Sequence, residues 1–567
     1  MISQLKKIFS SFTNNSSWLE KQQNSILSAA AVITVANILS SISGLIRERI
    51  LISEFFSTAV SQQAYEAFQV AFQIPDMMFQ LIILGSVSAA FIPVFAQLKK
   101  TKSEQTAFKM TSITMTMLLL IFVAVSLVVA YFARPITIWR TGAEFTKSQI
   151  NITTTLTQIM LIAQVFFAVS NFLTGMLQAY QRFIIPAIAP VLYNLGILIG
   201  VLFFSSSLGI YSAGIGVIIG AFIHMSVQLP LVLKLGFRFK PALSLKFPGV
   251  KPFFALMPAR LLTISITELQ NLSLGFFATS LGNLSFVIIR LALRLMTIPI
   301  RLFGVPISQA SLPFLSAESA NNDSLARFTG LVIKSLHQIS FLAYPASVLL
   351  LILRVPFVRL IFGTRNFPWS TTLTTGKVVA IIAVSIGAQA MVQLLIRAFH
   401  ALKDTRTPFF ITLITAGFYL ISSWYFVFFT SWGVMGIAIS TSIAAFIELI
   451  LCILLLNKKL PKFFSSAFWV PQLKMLAASF FMAVFLYLPF KILDELVFNT
   501  TKTLELIGLT ITTATIGTLV YVYFSALFEV RELKLINKLF IKFEPWRKSL
   551  ERTKEVLVET SVEGDEI

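Results

Sequence analysis

Between Ala64 and Phe95 the chain reads AYEAFQVAFQIPDMMFQLIILGSVSAAFIPVF, long and apolar enough to cross a bilayer. Yet it carries Glu66, Gln69, Gln73, Asp76 and Gln80 at steps of 3, 4, 3 and 4. At about 100° per residue these five fall within roughly 80° of arc, one polar stripe on one helical face. Hydrocarbon penalises such a stripe, so it must face protein or a wetted cavity. A second stripe runs through RLALRLMTIPIR, where Arg290, Arg294 and Arg301 sit at offsets 0, 4 and 11. On an ideal helix that is about 40° of arc. Guanidinium groups favour planar, bidentate pairing with phosphate or carboxylate, so three on one face of a span point to an anionic ligand. Pro299 falls inside the stripe and is placed to kink it. The plainer alternative is that Arg290 or Arg301 snorkels to an interface. GLIRER (Gly44–Arg49), closing the first apolar stretch, has an equally plain account, because charges commonly terminate spans. Glu268, deeper in another stretch, needs a partner, a proton or a cation.

Catalytic chemistry fits poorly. His224, His337 and His400 lie far apart without HExxH spacing, and no GxxxxGK[ST] loop occurs. No paired-carboxylate motif stands out. The single Cys452 excludes an internal disulfide framework and a Cys-rich metal site. Neither cofactor, metal nor catalytic residue is expected. With 567 residues, 56% hydrophobic and 12% charged, the chain has the composition of an integral membrane protein. Its formal net charge of +21 then reads as cytoplasmic loop bias plus an anionic lipid or substrate, not as nucleic-acid binding.

The elements that position these residues must be helices, since each spanning segment has to satisfy its own backbone. Apolar stretches of spanning length recur about fourteen times. The expected fold is an all-α polytopic membrane protein with two pseudo-symmetric six-helix lobes, at 28–234 and 250–456. Two additional helices follow at 468–528. A polar N-terminal segment, 1–27, lacks the form of a cleaved signal peptide. The tail, 531–567, mixes Lys and Arg with apolar residues, as a cytoplasmic amphipathic helix would. The lobes rest on internal similarity. Ile74-Pro75, Gly85 and Phe91–Phe95 echo Ile298-Pro299, Gly304 and Ser311–Phe314, and QAYQRF (Gln178–Phe183) echoes RAFH (Arg397–His400). Such duplication is a transporter architecture with substrate held where the halves meet. Alternate loops rich in Lys and Arg, including Lys99, Lys100, Lys234, Arg238, Lys240, Lys458 and Lys459, place both termini in the cytoplasm.

Several segments together resemble one family. GLIRE (Gly44–Glu48), EAFQVAFQIPD (Glu66–Asp76), GSVSAAFIPVFAQ (Gly85–Gln97), GMLQAYQRFIIPAIAPVLYN (Gly175–Asn194), LRLMTIPIRLFGVPISQASLPFLS (Leu293–Ser316) and IRAFHALKDTRTP (Ile396–Pro408) are similar, in order, to the MurJ/MviN family. The resemblance implies a flippase for lipid II, the undecaprenyl-diphosphate-linked muropeptide of peptidoglycan synthesis, in the multidrug/oligosaccharidyl-lipid/polysaccharide exporter superfamily. It implies a bacterial inner-membrane, multi-pass transporter, not an enzyme. The expected partners are lipid II, membrane lipids and the cell-wall synthesis machinery, and the chain is expected to be a monomer. Carried over, the family's first-span cavity arginine matches Arg47, with Glu48 for the usual Asp. Its second-span acid matches Glu66, and its eighth-span arginine matches Arg294. The expected substrate-binding set is thus Arg47, Glu48, Glu66, Gln73, Asp76, Arg290, Arg294 and Arg301.

This chain also departs from the family pattern. Phe79-Gln80 stands where the family usually has Arg-Arg, Asp76 replaces an Asn, Leu84 a Glu and Leu293 an Asp, while Arg290 and Arg301 are additional. The expectation is that positive charge has moved from the second span to the eighth. The eleventh span, 408–430, carries no acid for a sodium site. Rival readings are an exporter of another lipid-linked oligosaccharide or amphipathic compound on the same fold, a non-transporting membrane scaffold, and an enzyme acting on polyprenyl phosphates.

Overall fold

The computed structural model describes residues 26–84, 91–255, 257–319, 325–461, 463–498 and 502–534. The expected N-terminal segment at 1–27, apart from its last two residues, and the tail beyond Lys534 lie outside them. Among the described residues all regular structure is helical, the outcome required where water cannot satisfy the backbone. Nine helices among the described residues are long and apolar enough to cross a membrane, ten if the pair Trp369–Ala383 and Ile386–Ala401, bent by 45°, is one broken span. Fourteen is not reached by that measure. The four expected spans outside the set are those holding Arg47 and Glu48, the amide stripe, Glu268 and the arginine stripe.

Two of those four are interrupted. The second expected span comprises α2 (Ala59–Ala71), α3 (Gln73–Phe79) and a π turn, Gln80–Leu84, and follows α1 (Ile26–Phe55). Thr58 and Ser61 start α2 with a reciprocal capping box, Thr58 Oγ1 accepting from Ser61 N at 3.2 Å and Ser61 Oγ from Thr58 N at 3.0 Å. Downstream come α4 (Ala133–Arg140), α5 (Lys147–Ala179), α6 (Ile184–Leu208), α7 (Tyr211–Ser226), α8 (Met257–Ser280) and α9 (Ser285–Pro299). At Pro299 α9 passes into a second π turn, Ile300–Gly304. A proline and a widened turn interrupting a helix commonly mark a functional site.

Helices α6 and α7 meet through two GxxxG pairs, Gly196/Gly200 and Gly216/Gly220. A Cβ on Gly200 would stand 2.3 Å from Gly216 Cα, and one on Gly196 2.2 Å from Gly220 Cα. Only hydrogen fits there, so the backbones touch and packing replaces the hydrophobic drive that lipid cannot supply.

The described residues fall into two compact units. One draws on Met1–Ile298, Val355–Ile382 and Phe409–Ile447, the other on Pro299–Arg354, Ala383–Pro408 and Glu448–Ile567. The second unit is organised by α10 (Leu325–Ile352), α11 (Ser466–Leu496) and α12 (Thr503–Leu527). Phe341, Met475, Met482, Leu486 and Tyr521 form its buried core, and Tyr521 Oη donates to Phe341 O at 3.0 Å. His337, buried in α10, lies 3.1 Å from Phe468 O and 3.6 Å from Glu532, which places it as a packed residue.

Candidate functional site

In the first unit a single carboxylate gathers the charged residues. Glu48, on α1, is 1% exposed, and an isolated ion there would be costly. Arg294, from α9, donates Nη1–H to Glu48 Oε2, and Arg47 Nη2 approaches the same oxygen at 3.5 Å. The other oxygen accepts from Tyr65 Oη and, at 2.8 Å, from Gln69 Nε2, both on α2. Gln69 Oε1 in turn lies 3.5 Å from Arg294 Nη2. A second anchor fixes Arg47, whose Nη1 donates to Asn194 Oδ1 at 2.9 Å. Asn194, on α6, donates back to Ser43 Oγ at 2.8 Å. Arg47 and Arg294 keep 15% and 25% of their side chains accessible, so both are held by protein while remaining open to a ligand.

They open onto a cavity of about 260 Å³. Arg47, Arg290 and Arg294 line it with Gln69, Asp76 and Gln80, and the wall also includes Phe79, Phe167, Tyr193 and Gln164. Three guanidiniums and one carboxylate, Asp76, line the cavity, with Glu48 buried beneath Arg294. Arg290 packs 6.0 Å from the Phe286 ring, and its buried Nε has no hydrogen-bond partner.

The polar stripe of the second span divides. Gln69, Asp76 and Gln80 line the cavity. Taking Gln69 as zero, they span about 40° of the helix, whereas Gln73 and Glu66 lie at about 40° and 60° to one side. That flank is structural in this structure. Glu66 accepts from Gln149 Nε2 at 3.0 Å and from the Phe286 backbone N–H at 3.2 Å, so it caps the first turn of α9. Gln73 donates to Asn271 O at 2.7 Å and accepts from Arg140 Nη1 at 2.7 Å, tying α3 to α8 and α4. Arg301 belongs to the other unit, exposed on the π turn after Pro299. Of the expected set, Arg47, Asp76, Arg290 and Arg294 share the cavity, with Glu48 buried behind them. Sequence reasoning missed Tyr65, Gln164, Tyr193 and Asn194. Asn194 was detectable as the single amide within its apolar span; Gln164 shares its helix with other amides, including Gln158 and Asn171, and nothing local singled out Gln164 or the tyrosines.

A family model described as lipid II flippase MurJ matches residues 55–507, four-fifths of the chain. The chain belongs to the MurJ family. It is 27% identical over 438 residues to "Lipid II flippase MurJ" of Burkholderia cenocepacia, covering 76% of this chain and 84% of that protein. To "Probable lipid II flippase MurJ" of Thermotoga maritima it is 28% identical over 413 residues, covering 71% and 80%. Among solved structures, "Lipid II flippase MurJ, inward closed conformation" superposes with a TM-score of 0.70 at 23% identity, over 88% of this chain and 98% of that one. An inward-facing multidrug resistance MATE family transporter of the MOP superfamily gives 0.61 at 14% identity, over 75% and 98%. The all-helical fold is therefore that of MurJ and its MATE relatives, and the chain is a multi-pass membrane protein of a transporter family. Arg47, Glu48 and Arg294, carried over from the MurJ pattern, are the residues that meet in one network.

Proposed function

We propose that this MurJ-family protein flips lipid II from the cytoplasmic to the outer leaflet of the bacterial inner membrane by alternating access. The observation that carries this reading is the convergence of Arg47, Arg290 and Arg294 on one cavity. A diphosphate is a bidentate, multiply charged acceptor, matched to guanidinium donors held ready by Glu48 and Asn194. Two six-helix lobes at 28–234 and 250–456 would rock about the site, with the polyprenyl tail left in lipid and both termini in the cytoplasm. Gln69, Asp76 and Gln80 would meet the sugar and peptide groups. Arg301, Gln73 and Glu66 would support the cycle from outside the cavity lining. The chain carries no phosphate-cradling loop for ATP, so the membrane potential is the natural drive, worth about 2.3 kcal/mol per charge per 100 mV.

Reconstitution in liposomes with labelled lipid II tests this. Label should become accessible on the opposite face, and Arg47→Ala or Arg294→Ala should stop it. Unchanged transport in both variants would refute the assignment. A second reading, an exporter of a different lipid-linked oligosaccharide on the same fold, is favoured by Phe79 and Gln80 in the cavity wall where the family usually has Arg-Arg. The same assay separates the two, because that reading expects faster transport of a glycan other than the muropeptide.

A further inference from the structure

The cavity has a second, uncharged wall. Gln164 and Phe167, one turn apart on α5, line it with Tyr193 from α6 and Gln80. Phe167 stands edge-on to Tyr193, ring centroids 5.0 Å apart at 73°, and 5.8 Å from Phe79. Locked aromatics of this kind offer a rigid apolar surface with a polar rim. Gln164 is 2% exposed, and its Oε1 is buried without a hydrogen-bond partner. Buried acceptors are ordinarily satisfied, and leaving one bare is destabilising. An orphaned carboxamide in a cavity wall therefore marks a place where a ligand completes the bonding.

We infer that Gln164 is a specificity-determining residue, which pairs with the acetamido group of the sugar joined directly to the diphosphate while Phe167 and Tyr193 bear on its ring. The inference rests on the lipid-diphosphate reading above and deepens it. The unpartnered Oε1 takes the acetamido N–H as its donor, and the acetyl methyl adds apolar contact with the aromatic wall that a hydroxyl at the same carbon lacks. Size agrees. At about 260 Å³ the cavity lies below the range typical of drug-sized ligands. It suits a diphosphate and its neighbouring sugar, leaving the remaining glycan and peptide outside.

The test uses the full-length protein in nanodiscs and two synthetic probes, undecaprenyl diphosphates bearing either an N-acetylhexosamine or the corresponding plain hexose. Wild type should bind the acetamido probe about tenfold or more tightly than the hexose probe. Gln164→Met, matched in length, should erase that preference by weakening the acetamido probe about tenfold. Its melting temperature should hold or rise, because methionine removes an unpaired buried carbonyl. Gln164→Leu provides an independent second variant with the same expectations. Arg47→Ala should weaken both probes equally. A retained preference in either stable variant overturns the inference but leaves the diphosphate reading intact. So does a fall in melting temperature with both probes weakened alike, the signature of a merely structural residue. Failure of wild type to bind either probe overturns both.

Discussion

Glu48 and Arg294 allow stability and transport to be separated. Replacing Arg294 with Gln strands a carboxylate that is 1% exposed. Breaking a buried pair from one side typically costs about 3–5 kcal/mol. Here the anion keeps Arg47 at 3.5 Å and donors from Tyr65 and Gln69, so the loss should be smaller, about 2–3 kcal/mol, or several degrees of melting temperature. Adding Glu48→Gln removes the stranded charge, and the double variant should regain about 1–2 kcal/mol relative to Arg294→Gln. Transport should not follow. A charge-assisted hydrogen bond to a ligand is worth about 1.5–3 kcal/mol, so losing Arg294 should weaken diphosphate binding by about 10- to 150-fold whether or not Glu48 is present. Thermal unfolding in detergent and lipid II flipping in liposomes, run on wild type and the two variants, read the two quantities. If the double variant regains both stability and flipping, Arg294 serves only as a counterion to Glu48, and its assignment to the substrate is wrong.

Other outcomes follow from single sites. Gly200→Leu should abolish stable expression, because its side chain would meet the backbone of Gly216; a folded, active variant would refute the backbone contact between α6 and α7. Asp404 lies between the helices Ile386–Ala401 and Arg406–Phe429, pairs with Lys459 Nζ at 2.8 Å and accepts backbone N–H bonds from Arg406 and Thr407 at 3.1 and 3.0 Å. Partial burial pushes its carboxyl up, but the bonds from Lys459 and Thr407 outweigh this and hold it well below the usual carboxylate range. A lowered value adds stability above the unfolded carboxylate's pKa, and that stability is lost as pH falls through the folded one. Asp404→Asn should therefore lower the melting temperature at neutral pH, with the gap to wild type closing below about pH 4. A constant gap across that window would contradict the ion pair.

The helical class and the polar face of the second span were legible because hydrocarbon leaves few options for backbone and charge alike. Arg47 is instructive. By local pattern it closes a span, and only the family resemblance marked it as a cavity residue. Its bonds to Asn194 and Glu48 explain why, since they come from α6 and from its own neighbour, a pairing spacing alone cannot reveal. Glu66 and Gln73 show the opposite failure. A stripe of roughly 80° is wider than one cavity, and its flank was taken up by the start of α9 and by Arg140. An ideal helix groups Arg301 with Arg290 and Arg294, but α9 ends at Pro299 and Arg301 sits in the π turn that follows. Periodicity finds a face; it does not say where that face stops.

Phe79 and Gln80 line the same cavity as Arg290. That placement gives the departure from the family pattern a physical meaning, because one wall has lost the usual Arg-Arg pair while another has gained a guanidinium. A diphosphate responds to the charge it meets, not to the helix that supplies it, provided the donors reach the same volume. Arg290→Ala should then reduce flipping by about tenfold, the worth of one charge-assisted contact. Restoring the family's charge on the second span, as Gln80→Arg in the Arg290→Ala background, should recover most of that loss. Gln80→Arg alone should bind lipid II more tightly and release it more slowly, raising affinity without raising turnover. A double variant no better than Arg290→Ala would show that position, not net charge, decides, and the idea of a transplanted arginine would have to be abandoned.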